Sequence, residues 1–334
     1  MMSDWASRLK YDPIRPLTGS DAIEYFTRRD LLGLDAGPIE RIHQLPDVAR
    51  IVRKQRPDGS WKYPGRTTCN GVKYSLLETW KQLRFLVDQY GMGRPHMAIV
   101  KSAEYVFARQ TGEGDIRGIL ANQYAPYYTG AIMSLLIKAG YGDDPRIEKG
   151  LRWLLNVRQE DGGWIIGSPG ILGLGKLTRA ELEGLVSDPG RKTARAFDPS
   201  KPFSAAGTGM VLRAFAAHPR YRKSPEAMRA ARLLKSMLFK KDNWSSYGHP
   251  DNWVRFQFPF WWTNLVSALD TLSLMGFTAG DDDVRNALEW LIRHQRPDGL
   301  WNVSYSRIHR SPDKPATRLW VSLAICRILK RCYG

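Results

Sequence analysis

Apolar residues recur at helical spacing along most of the chain. Ile147, Leu151, Leu154 and Leu155 line one face of a run, and Val284, Leu288 and Leu291 line another. Upstream of each lies a further apolar run that closes on glycine, Ala131 to Gly140 and Leu265 to Gly276. Short acidic turns, Asp143-Asp144-Pro145 and Asp281-Asp282-Asp283, separate the two runs of each pair. Aspartate there accepts hydrogen bonds from the free N–H groups at a helix start and suits its dipole, so capping is the expected role of both. The pattern therefore predicts helix, tight turn, helix.

Each second helix runs into one turn type. Gln55-Arg-Pro-Asp58-Gly59-Ser-Trp61 and Gln295-Arg-Pro-Asp298-Gly299-Leu-Trp301 match closely, and Gln159-Glu-Asp161-Gly162-Gly163-Trp164 lies between them. Asp and Gly form the turn, and Trp folds back as an apolar plug whose indole N–H bonds nearby backbone. The glutamine is placed to bridge to the next unit. Degenerate copies occur at Gln110 to Asp115, after a helix expected over His96–Arg109, and at Lys241 to Trp244, after one expected over Pro225–Phe239. With a first helix near Asp21–Leu32 and a last near Thr317–Arg331, the count is five full helix pairs, and the terminal pieces complete a sixth. Units of this kind bury their apolar faces only by stacking. The expected fold is a single all-α domain over 1–334, an α/α toroid of inner and outer helices closed into a ring. A long Gly- and Pro-rich loop over 165–204 interrupts it, carrying Lys176, Arg179, Arg191, Lys192 and Arg195. Loops of that length are either functional lids or disordered insertions.

Q-x-x-D-G-x-W at this spacing resembles the QW repeat of squalene–hopene and oxidosqualene cyclases and of protein prenyltransferase β subunits. The resemblance covers nearly the whole chain from about Asp21. It implies the toroid and a site at the mouth formed by the loops after these turns and the starts of the inner helices. It does not carry the chemistry over, because one fold hosts many activities. The Asp-x-Asp-Asp acid of the cyclases is missing, and Asp281 to Asp283 sits in a turn. No cysteine has an aspartate four residues before it, as the prenyltransferase zinc site requires, so no metal and no cofactor is expected. The Cys-His-Gly set of lanthionine cyclases and the Cys-Gly-Glu-Gln of thioester domains are also missing.

Carried onto this chain, the mouth would gather Arg66, Cys69, Asn70, Lys73 and Tyr74, then Arg117, Tyr124, Tyr127 and Tyr128. A dense aromatic stretch follows, with Trp253, Arg255, Phe258, Trp261 and Trp262, and the last repeat adds His309, Arg310 and Arg318. Aromatic faces pack apolar chains and stabilise cations, while arginine grips phosphate or carboxylate. Such a mouth suits an amphiphilic anion of the isoprenoid kind. Glu78, Asp270 and His249 are the acid–base candidates, because a carboxyl in an aromatic cavity becomes a proton donor.

A hydrophobic content of 43% supports a full core and excludes disorder. The net charge of +17 keeps a second reading open. Aromatics with a basic groove also bind single-stranded nucleic acid, and Arg220, Arg222, Lys223, Arg229, Arg232, Lys235, Lys240 and Lys241 could form a face for it. A third reading is a non-catalytic protein-interaction domain. The cluster from Phe256 to Trp262 also suits peripheral contact with a membrane interface. The three cysteines form no C-x-x-C pair, the first residues form no apolar leader, and no apolar run reaches about 18 residues. The expected location is the cytoplasm.

Overall fold

A computed structural model describes residues 4–67, 72–119, 124–166, 198–242, 249–303 and 315–334. Its regular elements are helices, and they alternate between two layers. The inner layer holds α1 (residues 21–32), α3 (74–89), α5 (126–141), α7 (Ala205–Ala217), α9 (Leu265–Leu274) and α11 (Pro315–Tyr333). The outer layer holds α2 (Pro46–Arg53), α4 (Met97–Phe107), α6 (Pro145–Asn156), α8 (Pro225–Ser236) and α10 (Asp282–Arg293). This is the expected toroid, with five inner–outer pairs among the described residues and a sixth inner helix at the C-terminal end.

Composition separates the layers. α5 and α7 are buried almost all round and pack closely, since a methyl group on Gly130 would lie 2.6 Å from the Val211 Cα. Outer helices such as α6 bury only one stripe, Ile147, Gly150, Leu151, Trp153 and Leu154. One covered face and one wet face is what an outer position demands. Short turns between α5 and α6, and between α9 and α10, set each pair antiparallel, so the inner helices all run the same way. Asp144 accepts from the Arg146 N–H, and Asp281 accepts from the N–H groups of Asp283 and Val284, so the acidic turns cap their helices as expected.

The repeated turn is a staple with four fixed bonds. Trp61, Trp164 and Trp301 are buried and donate Nε1–H to the carbonyls of Ile51, Leu154 and Leu291 at 2.7–2.8 Å. Asp58, Asp161 and Asp298 each accept from the N–H two residues on. Gln55 Nε2 donates to the Gly59 carbonyl in its own turn and to Ala98 at the start of the next outer helix, 2.8 Å. Gln110 does the same with Gly114 and Arg146. The fourth bond was not foreseen. The tryptophan backbone N–H donates to a hydroxyl on the following inner helix, Thr79, Thr208 or Ser322, at 2.9–3.2 Å. Gly59, at φ +85°, is obligatory here, because a Cβ would sit 2.1 Å from the Lys101 carbonyl oxygen.

The ring closes through the N-terminal segment. Gln295 Nε2 donates to the Tyr11 carbonyl (2.9 Å), and Gln295 Oε1 accepts from the Tyr11 N–H (3.2 Å). Asp12 stands against Gly299 as Lys101 stands against Gly59. Residues before α1 thus occupy the outer position beside α11, and Arg327 of α11 pairs with Asp30 of α1. Among the described residues, no helix is long and apolar enough to cross a membrane.

Candidate functional site: a cationic cavity beneath an aromatic plug

The ring interior is filled by the segment 256–262, which has no regular structure of its own. Backbone in such a place needs donors for its carbonyls. Two arginines on inner helices supply them. Arg84 of α3 donates Nε–H to Phe260 (3.0 Å) and Nη2–H to Pro259. Arg213 of α7 donates to the carbonyls of Phe260, Trp261 (3.1 Å) and Trp262 (2.9 Å). Burial pushes the Arg213 guanidinium down to about 10, against the pull of the Asp88 and Asp270 charges. The Arg84 guanidinium also lies over the rings of Trp80 and Trp261, 5.3 and 4.7 Å from their centroids.

Above these arginines, toward the starts of the inner helices, the expected aromatics do meet. Trp261 packs on Trp80 at 4.5 Å, Trp80 on Tyr128 at 5.2 Å, and Trp262 on Tyr127 at 6.2 Å. Below the arginines, toward the helix C-termini, lies a cavity of about 700 Å³. Its apolar wall includes Phe26, Ile39, Val87, Phe258, Phe260 and Ala324, and its charged lining is Arg29, Asp30, Asp88, Lys138, Asp270, Arg327, Lys330 and Arg331. The helices α1, α3 and α5 widen to i→i+5 turns over 27–32, 84–89 and 137–141. Those stretches carry Arg29, Asp30, Val87, Asp88 and Lys138, and local widening of this kind is frequent at functional sites.

Three ion pairs among the cavity charges tie neighbouring inner helices together, and one more lies within α1. Asp30 meets Arg29 (2.6 Å) and Arg327 (2.5 Å), Asp88 meets Lys138 (2.9 Å), and Asp270 meets Arg331. Lys330 donates to the carbonyls of Asp30 and Leu31 at the C-terminal end of α1. Five cationic side chains thus face three carboxylates, a surplus of two positive charges. Burial alone would raise the Asp30 carboxyl, but the Arg29 hydrogen bond and the Arg327 and Arg29 charges outweigh it and hold it low. A carboxyl depressed on folding stabilises above its unfolded value, near pH ~4, and loses that contribution as pH falls through its lower folded value. By removing the charge partner of Arg327 and Arg29, Asp30→Asn is expected to lower stability by about 2 kcal/mol at pH 7. Chemical unfolding against pH should show the variant losing less than the parent chain on acidification below about pH 4.

Of the residues nominated from sequence, Phe258 and Asp270 line this cavity. Phe258 stacks on Trp320 at 5.7 Å. Glu78 is buried but does not line it. It accepts from Gln82 and lies 3.6 Å from Lys81 on its own helix. His249 is exposed, 3.4 Å from Asp251. Trp253 is buried and donates Nε1–H to the Lys240 carbonyl. Arg255 donates to Asn252, and Arg318 grips Asp298 with both Nη groups. Tyr124 is stacked on Trp153 beneath Arg117 and donates to Glu113; burial, then that bond, push its hydroxyl up to about 12. Arg66 and Lys73 are exposed, and Tyr74 packs on Tyr63. Cys69, Asn70, His309, Arg310 and residues 167–197 of the long loop lie outside the described residues.

The residues missed were Arg29, Asp30, Asp88, Lys138, Arg327, Lys330 and Arg331, together with the clamps Arg84 and Arg213. A signal existed for Arg213: it is the one charged residue in the otherwise apolar run of α7. On the basic outer face, two of the eight named cations meet carboxylates among the described residues and a third meets a carbonyl. Arg220 pairs with Glu148, Lys235 with Asp281 and Asp283, and Arg229 donates to the Glu160 carbonyl.

No protein-family model and no curated protein matches the chain. Solved structures that resemble it include a polysaccharide lyase at TM-score 0.49 and 14% identity, covering 99% of this chain and 98% of the lyase. A protein from Actinoplanes aligns at TM-score 0.41 and 16% identity, over 89% of this chain and 88% of its own. The type II terpene cyclase MstE from Scytonema aligns at TM-score 0.32 and 14% identity, over 87% and 96%. Likenesses of this size transfer no activity.

Proposed function

We propose that the ring binds an amphiphilic anion, isoprenoid-like in shape, in the cavity at the C-terminal ends of its inner helices. The observation that carries this reading is the lining itself, in which one wall is aromatic and aliphatic and the other holds a surplus of arginine and lysine. An apolar chain gains by leaving water against Phe26, Phe258 and Phe260. An anionic head gains from guanidinium groups whose geometry matches phosphate or carboxylate. Asp270, nominated as an acid–base residue, lies on that wall in an ion pair with Arg331.

Farnesyl phosphate is expected to bind and to quench or shift tryptophan fluorescence, since Trp320 packs on Phe26 and Phe258 of the cavity wall. Farnesol, with the same tail and no charge, should bind at least tenfold more weakly, as should the phosphate to Arg331→Ala; loss of one charged contact supports that size. Equal binding of both, or of neither, would remove the reading. A short single-stranded DNA in the same assay tests the nucleic-acid alternative.

A further inference from the structure

We infer that the cavity reads a dianionic head group, of the phosphomonoester class, directly through its cationic side chains and without a bridging divalent cation. This rests on the reading above and narrows its head group.

Charge balance is the first ground. The lining carries two more positive than negative side chains. A phosphomonoester carries about −1.5 to −2 at pH 7, which neutralises that surplus. A diphosphate ester brings a further charge, which enzymes commonly offset with a metal held by carboxylates. Here the carboxylates are engaged. Asp30 is held by Arg29 and Arg327, Asp88 by Lys138, and Asp270 by Arg331. To hold a metal they would have to leave those partners, and in doing so unpair the helices they join. No group of three His, Cys, Asp or Glu side chains among the described residues is placed to hold a metal ion.

The cations are differently placed. Lys330 donates to two neutral carbonyls, and among the described residues no carboxylate forms an ion pair with it. Arg29 and Arg331 keep part of their side chains open to the cavity and to solvent. Asp88 and Asp270 then act as specificity determinants, because they set the surplus at two. Removing either charge raises it to three and favours a more highly charged head.

The test uses the full chain with geranyl phosphate and geranyl diphosphate, by calorimetry at pH 8, in EDTA and again in magnesium. The parent chain should bind the monophosphate more tightly than the diphosphate in EDTA, and magnesium should not tighten either. Asp270→Asn and, independently, Asp88→Asn should bind the diphosphate on the order of tenfold more tightly than the parent does, as expected for deleting a like charge several ångströms away at an effective dielectric near ~20. Thermal melts identify a variant that fails to fold, and the other then decides. Diphosphate binding that needs magnesium, or weaker diphosphate binding by the folded variants, overturns this inference and leaves the amphiphile reading standing. If neither ester binds the parent chain, both fall together.

Discussion

Trp164→Ala is expected to destabilise the whole ring by about 4 kcal/mol. The indole is fully buried, stacks on Phe215 at 5.6 Å and donates to Leu154. Its backbone N–H and carbonyl both engage Thr208 of α7. Truncation leaves a cavity and an orphaned carbonyl where α6, the turn and α7 meet. Because each pair is stabilised by its neighbours, the loss should appear in one cooperative transition. Urea unfolding followed by circular dichroism measures it. A loss below about 1 kcal/mol, well outside the range for a large buried aromatic, would show that the turn is ornamental.

Arg213→Ala should lower stability by about 3 kcal/mol by leaving carbonyls of the plug without donors. Arg213→Lys should recover little of it, since an ammonium on a flexible stem cannot present the planar fork that spans Phe260, Trp261 and Trp262. Both variants should increase acrylamide quenching of tryptophan fluorescence as Trp261 and Trp262 loosen. Unchanged quenching with a full loss of stability would mean that Arg213 supports α7 packing and does not clamp the plug.

The turn was legible because its bonds are local. Asp298 reaches two residues on, Gln295 four, and Trp301 ten residues back, so the spacing of those residues in the chain already encodes the geometry. That the glutamines bridge to the next unit was legible, but the residues they reach were not. Gln55 reaches Ala98, and Gln295 reaches Tyr11 across nearly the whole chain. The hydroxyls of Thr79, Thr208 and Ser322 look like ordinary helix residues until the turn is folded onto them. The aromatic cluster was nominated as a pocket wall; the structure packs Trp261 and Trp262 with Trp80 and Tyr127 as a plug, while Phe258 of the nominated set lines the cavity. What it could not reveal is that two arginines pull the segment 256–262 into the ring and so divide an aromatic layer from a charged one.

The cavity itself shows where such reading stops. Asp88 and Lys138 read as solvated charges at helix ends. They become site residues only when α3 and α5 stand side by side and turn that face inward. By itself the sequence determined the all-helical repeat, the order of inner and outer helices and the staple between them, because helix periodicity and turn chemistry are short-range. Tertiary structure alone decided that a cavity opens at the C-terminal ends of the inner helices and which charges line it. That outcome depends on six parallel inner helices closing on one another, so that residues hundreds of positions apart, such as Asp30 and Arg327, share one wall.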